Sequence, residues 1–220
     1  QPSDAKIVRT LMINMILGTD MVKHLEHIEE FKKCMLERVE EIHHLQTNEH
    51  PDADIGDLPL PSMSDHQRGV VLNAIVHLSD LSSPTKPWAR SEIWTARVLK
   101  EFYEQGEKEK ELGLPVEPLN DGSKANVAKS QKGFIGYVVA PLWEIWDDLT
   151  LAGHPEHVQS EAMVNLHENL NKWDAIITQG DVVGTDFVAN ILQPGKEVAD
   201  PGPKSGDGVG IKTTGPSSDV

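Results

Sequence analysis

The spacing of apolar residues is helical almost throughout this chain, and it limits the fold more than any other feature. Ile7, Val8, Leu11, Met12, Ile13, Met15, Ile16 and Leu17 fall on most sides of one helix, as in a segment buried in a larger core. The pattern then narrows to one stripe through Met21, Leu25, Ile28, Phe31, Met35 and Val39, with Gly18 and Thr19 at the change. Further helical patterns run over about residues 69–81, 88–106, 125–150 and 157–177. Pro141 should kink the helix over 125–150, because proline lacks an N–H and crowds the preceding turn. No internal repeat and no convincing strand pair is present, so the expected fold class is all-α.

Between these patterns the punctuation is clear. Over residues 44–68, Asn48, Pro51, Asp52, Asp54, Gly56, Asp57, Pro59 and Pro61 replace periodicity with an exposed loop. A loop of that length signals an insertion or a lid. Pro115, Pro118, Asp121 and Gly122 mark a second loop over 107–122. After Gln193, Pro and Gly are interleaved with Ser, Thr, Lys and Asp, which cannot bury enough apolar surface to offset the entropy of ordering. The expected organisation is a domain over 1–185 carrying the inserted loop 44–68, then a disordered Pro/Gly-rich tail over 186–220.

Several function classes are excluded at this level. Acidic residues outnumber basic ones 35 to 20, a formal charge of −15, which opposes binding to a nucleic-acid polymer. No apolar run approaches the roughly 18 residues needed to span a bilayer, so this segment makes no membrane contact. Cys34 stands alone, which removes an internal disulfide framework and any Cys-based zinc module. The first residue is Gln1 and no signal segment follows it, so the chain is expected to begin inside a longer protein. The cytosol or a cytoplasmic membrane face is the expected location, and the oligomeric state is not legible. There is no Gly-rich phosphate loop, no Gly-x-Ser-x-Gly elbow and no His-Glu-x-x-His.

Chemistry is sought where a helix breaks its own pattern. Asp80 follows Val76 by four residues and Leu72 by eight, on the stripe expected to be buried, with His77 and Ser83 one turn either side. A carboxylate there is either a structural group bonded to a Lys, Arg or helix end, or a metal ligand. Gln131 shares a face with Val127, Phe134, Ile135 and Val138. Its amide either bonds a core carbonyl or reads the edge of a heterocyclic base, with Phe134 as a stacking surface. Trp94, Val98 and Phe102, with Thr95 and Leu99 beside them, form a stripe that is core or pocket wall. Asp20, His24 and His27 have ligand spacing, but Lys23, Glu26 and Glu29 place them on or near a solvated face, where a structural role is favoured. His43, His44 and His50 form no ligand pattern, Cys34 reads as a buried thiol, and residues 106–111 read as a solvated helix end with local ion pairs.

Taken together, five segments resemble the class I cyclic nucleotide phosphodiesterases. His77-Leu78-Ser79-Asp80-Leu81-Ser82-Ser83-Pro84-Thr85-Lys86-Pro87 resembles "H-x-A-D-L-S-N-P-T-K-P", and Glu101 to Glu109 resembles "EFFxQGDxE". Lys129 to Ile135 resembles "KSQxGFI", Pro141-Leu142-Trp143-Glu144 resembles "PLWE", and Leu17 to His24 resembles "LATDMSKH". The resemblance covers about residues 5–178, in family order, with the 44–68 loop longer than in most members. It implies an all-α catalytic domain that hydrolyses 3′,5′-cyclic nucleotides, cAMP or cGMP, with two divalent metals, zinc and magnesium or manganese. It implies that Asp80 is a metal ligand, that Gln131 bonds the purine, and that Phe134 and Val98 sandwich it with Phe102 behind. Trp94, Thr95, Leu99, Ser83 and Met21 would complete that substrate site, while Asp20 and His24 stay structural. Ser83 stands where cAMP-preferring members have asparagine, Ser91 where tyrosine is common, and Ala140 where histidine precedes "PLWE".

The family's "HNxxHAxD" and "HDxxHPG" motifs, which supply the remaining ligands and the histidine acid, do not occur in these 220 residues. No catalytic residue is therefore assigned within the chain, and the chain alone is expected to be inactive. The competing expectation is a catalytically dead relative that binds a nucleotide or a partner.

Overall fold

The computed structural model describes residues 2–48, 63–151, 159–180 and 182–193. Among them the elements are α1 (Pro2–Leu17), a 3₁₀ turn (Met21–Lys23), α2 (His24–Asn48), α3 (Asp65–Asp80) and a second 3₁₀ turn (Ser83–Thr85). Then come α4 (Trp88–Glu111), a third 3₁₀ turn (Pro118–Asn120), α5 (Val127–Phe134), a π-helical segment (Ile135–Val139), α6 (Ala140–Leu151), α7 (Glu161–Gln179) and α8 (Gly184–Ile191). The fold is all-α; the only β-type pairing among the described residues is an isolated bridge between Asn126 and Val183. No helix among them is long and apolar enough to cross a membrane.

Helix starts follow their side chains. Ser64 and Gln67 form a reciprocal capping box at α3, each side chain bonding the other's backbone N–H. Asn126 caps α5 and Ser160 caps α7. Helix α7 lies at the centre of the second half, against α5, α4, α6 and the Ser83–Thr85 turn. Its Trp173 is fully buried, edge-on to Trp88 at 4.8 Å and near Phe187 at 5.7 Å between ring centroids.

Four expectations change. Helix α1 is not buried in a core: it packs on α3, and Val8 and Ile16 remain 54% and 66% exposed. A helix that is apolar all round has more apolar faces than one neighbour covers. The kink expected from Pro141 takes the form of the π segment just before it, where the Ala140 N–H bonds Ile135 O, five residues back. The domain boundary expected at 185/186 falls inside α8, which docks on α4 and buries Phe187. Residues 44–48 belong to α2 and 65–68 to α3, so the expected loop is shorter at both ends. Residues 49–62 and the tail 194–220 lie outside the described residues.

The end of α4 is more than a solvated tip. Lys110 reaches past Glu107 to Asp121, which Ser123 and Lys124 also bond. Those partners, Ser123 first, hold the Asp121 carboxyl well below the usual carboxylate range. Gly106 is buried here because a Cβ would overlap the Asn120 carbonyl.

Helices α2 and α3 and the π segment are joined by two buried histidines. His24 Nε2 lies 3.0 Å from Val138 O, and His24 Nδ1 lies 2.8 Å from His77 Nε2. A carbonyl only accepts, so His24 carries its proton on Nε2 and accepts at Nδ1. His77 must then donate from Nε2. Burial pushes both imidazoles below their ordinary pKa, and the mutual proximity of His24, His27 and His77 adds to it. His24 is therefore structural, as expected, but it is buried rather than on a solvated face.

Two outcomes follow. Gly106→Ala should destabilise the chain by about 1–3 kcal/mol in chemical denaturation, the usual effect of overpacking; an unchanged midpoint would contradict the close approach. The ordinary histidine pKa is 6.5 and the folded values are lower, so below it the unfolded chain binds more protons. Stability should be full above about pH 6.5 and fall as the pH drops toward about 5, which thermal melts across that range would show. A flat profile would refute the neutral histidine pair.

Candidate functional site

Asp80 is the last residue of α3. The stripe that faces the core is Val70, Ala74, His77 and Leu78, continued by Leu81, and not the Leu72–Val76 line. Asp80 is consequently exposed, which overturns the expectation of a buried carboxylate and removes the need for a structural counter-ion. A carboxylate at a helix C-terminus also opposes the helix dipole, so its position is not explained by helix stability.

The chain turns sharply after Asp80. Leu81 N–H bonds His77 O, Thr85 N–H bonds Ser82 O, and the Thr85 hydroxyl bonds the same carbonyl at 2.9 Å. Pro84 and Thr85 are buried, and Ser83 is half-buried in the turn that leads into α4.

Helix α4 separates its two apolar lines. Ser91, Thr95, Ala96, Leu99 and Tyr103 form the buried line. Trp94, Val98 and Phe102 form the next one, and Trp94 and Val98 are 50% and 42% exposed. Trp94 and Val98 are therefore not core, the plainer of the two readings, whereas Phe102 packs partly buried against the core and Leu99 is core rather than open wall. The Arg97 guanidinium lies 5.2 Å from the Trp94 ring centroid.

Gln131 meets this surface from α5. It shares a face with buried Val127 and Ile135 and is itself half-buried, as its spacing implies. Its partner is not a core carbonyl: the Thr95 hydroxyl donates to Gln131 Oε1 at 3.3 Å. This bond ties α4 to α5 and leaves the amide NH₂ as the donor at the outer end. Phe134, one turn on, is half-buried against the core. The structure thus brings Thr95 and Gln131 together, with Trp94, Val98 and Phe102 on the same helix as Thr95 and Phe134 beside Gln131. Met21 stands apart, exposed on the first 3₁₀ turn.

A divalent cation takes four or more ligands. Asp80 supplies one carboxylate, and among the described residues no group of three His, Cys, Asp or Glu side chains converges. These residues do not by themselves make a metal centre.

Two buried polar groups near the site are not singled out by the sequence. His77 was visible as a neighbour of Asp80, and the i, i+3 pair His24 and His27 was the available signal for its partner. Asn169 on α7 carried no signal, because its partners are backbone carbonyls more than eighty residues away.

Known proteins resemble this chain over most of its length. The 3′5′-cyclic nucleotide phosphodiesterase family matches residues 1–160. The chain is 37% identical over 166 residues to the rat 3′,5′-cyclic-AMP phosphodiesterase 4C, covering 76% of this chain and 27% of the relative. It is 36% identical over 177 residues to isoform F of the Drosophila melanogaster 3′,5′-cyclic-AMP phosphodiesterase, covering 80% and 24%. Among solved structures, LmjPDEB1 in complex with IBMX superposes with a TM-score of 0.61 at 27% identity, covering 81% of this chain and 46% of that one. The phosphodiesterase domain of the RhoPDE fusion protein from the choanoflagellate Salpingoeca rosetta gives 0.59 at 28% identity, covering 81% and 49%. The chain spans about a quarter of the length of the curated relatives it matches. On the family match, the helical architecture and the placement of its motifs, the chain belongs to the 3′5′-cyclic nucleotide phosphodiesterase family.

Proposed function

We propose that this chain supplies the nucleotide-recognising wall of a domain that hydrolyses 3′,5′-cyclic nucleotides, cAMP or cGMP, to 5′-monophosphates. The observation that carries the reading is the Thr95–Gln131 hydrogen bond on the flank that exposes Trp94 and Val98. A purine presents acceptors and donors along its edge and an apolar face above and below. The Gln131 amide offers both kinds of group, and Phe134, Val98 and Phe102 offer apolar surface for the faces. The Thr95 hydroxyl donates or accepts equally well, so it supports either orientation of the amide and accommodates adenine or guanine. Trp94 belongs to the proposed wall and Ser83 stands at its Asp80 end, whereas Leu99 packs in the core and Met21 lies apart on the first 3₁₀ turn.

Family members generally use divalent metals. The finer assignment, zinc with magnesium or manganese and Asp80 as one ligand, belongs to the proposal. It is supported by the exposed carboxylate at a helix end that gains nothing from it. What this chain's own residues do is bind the base, exclude water from its faces and fix its angle relative to Asp80.

In the complete protein, Gln131→Ala should lower kcat/KM for the cyclic nucleotide by roughly 10- to 100-fold, the worth of one or two hydrogen bonds to the base. Because Gln131 is only half-buried, the melting temperature should move little. A loss of stability matching the loss of activity would instead make Gln131 a core residue. The isolated 220-residue chain should turn over neither cAMP nor cGMP with Mg²⁺ or Mn²⁺ added; measurable turnover would show that its own residues complete the centre.

A further inference from the structure

We propose that Asn169 is a positioning residue for the nucleotide site: its buried amide fixes the turn that presents Asp80 and Ser83. The inference rests on the functional reading above and adds a residue outside the five motifs. Asn169 sits midway along α7 and is 1% exposed. Its Nδ2 donates to Pro84 O at 2.7 Å and to Lys86 O at 2.8 Å. One turn earlier on α7, Asn165 Nδ2 donates to Thr85 O at 3.2 Å. Three successive carbonyls of the turn after Asp80 are thus held by two carboxamides of one helix.

The sequence explains the need. A 3₁₀ turn would satisfy the Pro84 carbonyl from the residue three positions on, but that residue is Pro87 and has no N–H. The carbonyl therefore requires a donor from outside, and a buried carbonyl without one is costly. Both hydrogens of a single NH₂ go to carbonyls two residues apart, which fixes the plane of the amide and the path of the backbone together.

Asn169 Oδ1 is buried and meets no hydrogen-bond donor among the described residues. Asn169 serves as a double donor aimed at one turn. The turn has Asp80 four residues before Pro84 and Ser91 and Thr95 on the helix that follows, so a shift in it moves the carboxylate relative to the base wall. A misplacement of about 1 Å can lower a rate by about 100-fold.

The test uses the complete protein with Asn169→Asp, which keeps the shape and replaces the double donor by an acceptor, and with Asn165→Leu, which removes only the Thr85 bond. Both are assayed well below their melting temperatures. The expected result is a fall in kcat of about tenfold or more for Asn169→Asp and a smaller fall for Asn165→Leu, with KM for the cyclic nucleotide within about threefold of wild type. If Asn169→Asp does not fold, the Asn165→Leu result decides: lowered kcat supports the proposal and wild-type kcat overturns it. A folded Asn169→Asp protein with wild-type kcat also overturns it. A wild-type protein that hydrolyses neither cAMP nor cGMP would instead overturn the functional reading itself.

Discussion

Burying Trp173 is the demand around which the second half of this chain is arranged. A buried indole needs contacts on every side, and it finds them in Trp88 at the start of α4, Phe187 on α8 and the neighbouring turns of α7. Those contacts seat α7 against the Ser83–Thr85 turn. Once α7 is seated there, Asn165 and Asn169 face the carbonyls they bond. The Asp80 turn and the Thr95–Gln131 pair are then held by one core, because α4 and α5 pack on the same central helix and α3 leads into the turn that helix holds.

The two halves of the proposed site are built by different physics. On the Asp80 side, backbone carbonyls are gripped by buried donors, and geometry is fixed by hydrogen bonds. On the Gln131 side, one side-chain hydrogen bond orients an amide, and the rest of the surface is apolar and half open. A rigid edge beside an adaptable one suits a ligand with a fixed phosphate ring and a base that differs between two purines.

Much of this was legible in the residues. Helical spacing gave the elements, and the face containing Val127, Gln131 and Ile135 was correctly read as one surface. Errors arose where spacing alone had to choose between adjacent lines of a helix. The Leu72–Val76–Asp80 line is as regular as the Val70–Ala74–Leu78 line, and only the packing of α2 and α1 on α3 selects the second. Helix α8 escaped because eight residues beginning with Gly184 give too short a period, and what orders it is the surface of α4. His24 was misplaced for the same reason: charged neighbours at 23, 26 and 29 describe the outer faces of α2, while the inner face is defined by a histidine 53 positions away.

The His24–His77 pair also sets a clock within the fold. Each ring is held in one tautomer by its neighbour, so two Nε2 protons are shielded between α2, α3 and the π segment. Neither can leave for solvent until those elements separate. The lifetime of these protons against exchange with water therefore measures how often α2 lifts from α3. It reports that opening from inside the interface, one turn from Asp80, even while the rest of the chain stays folded.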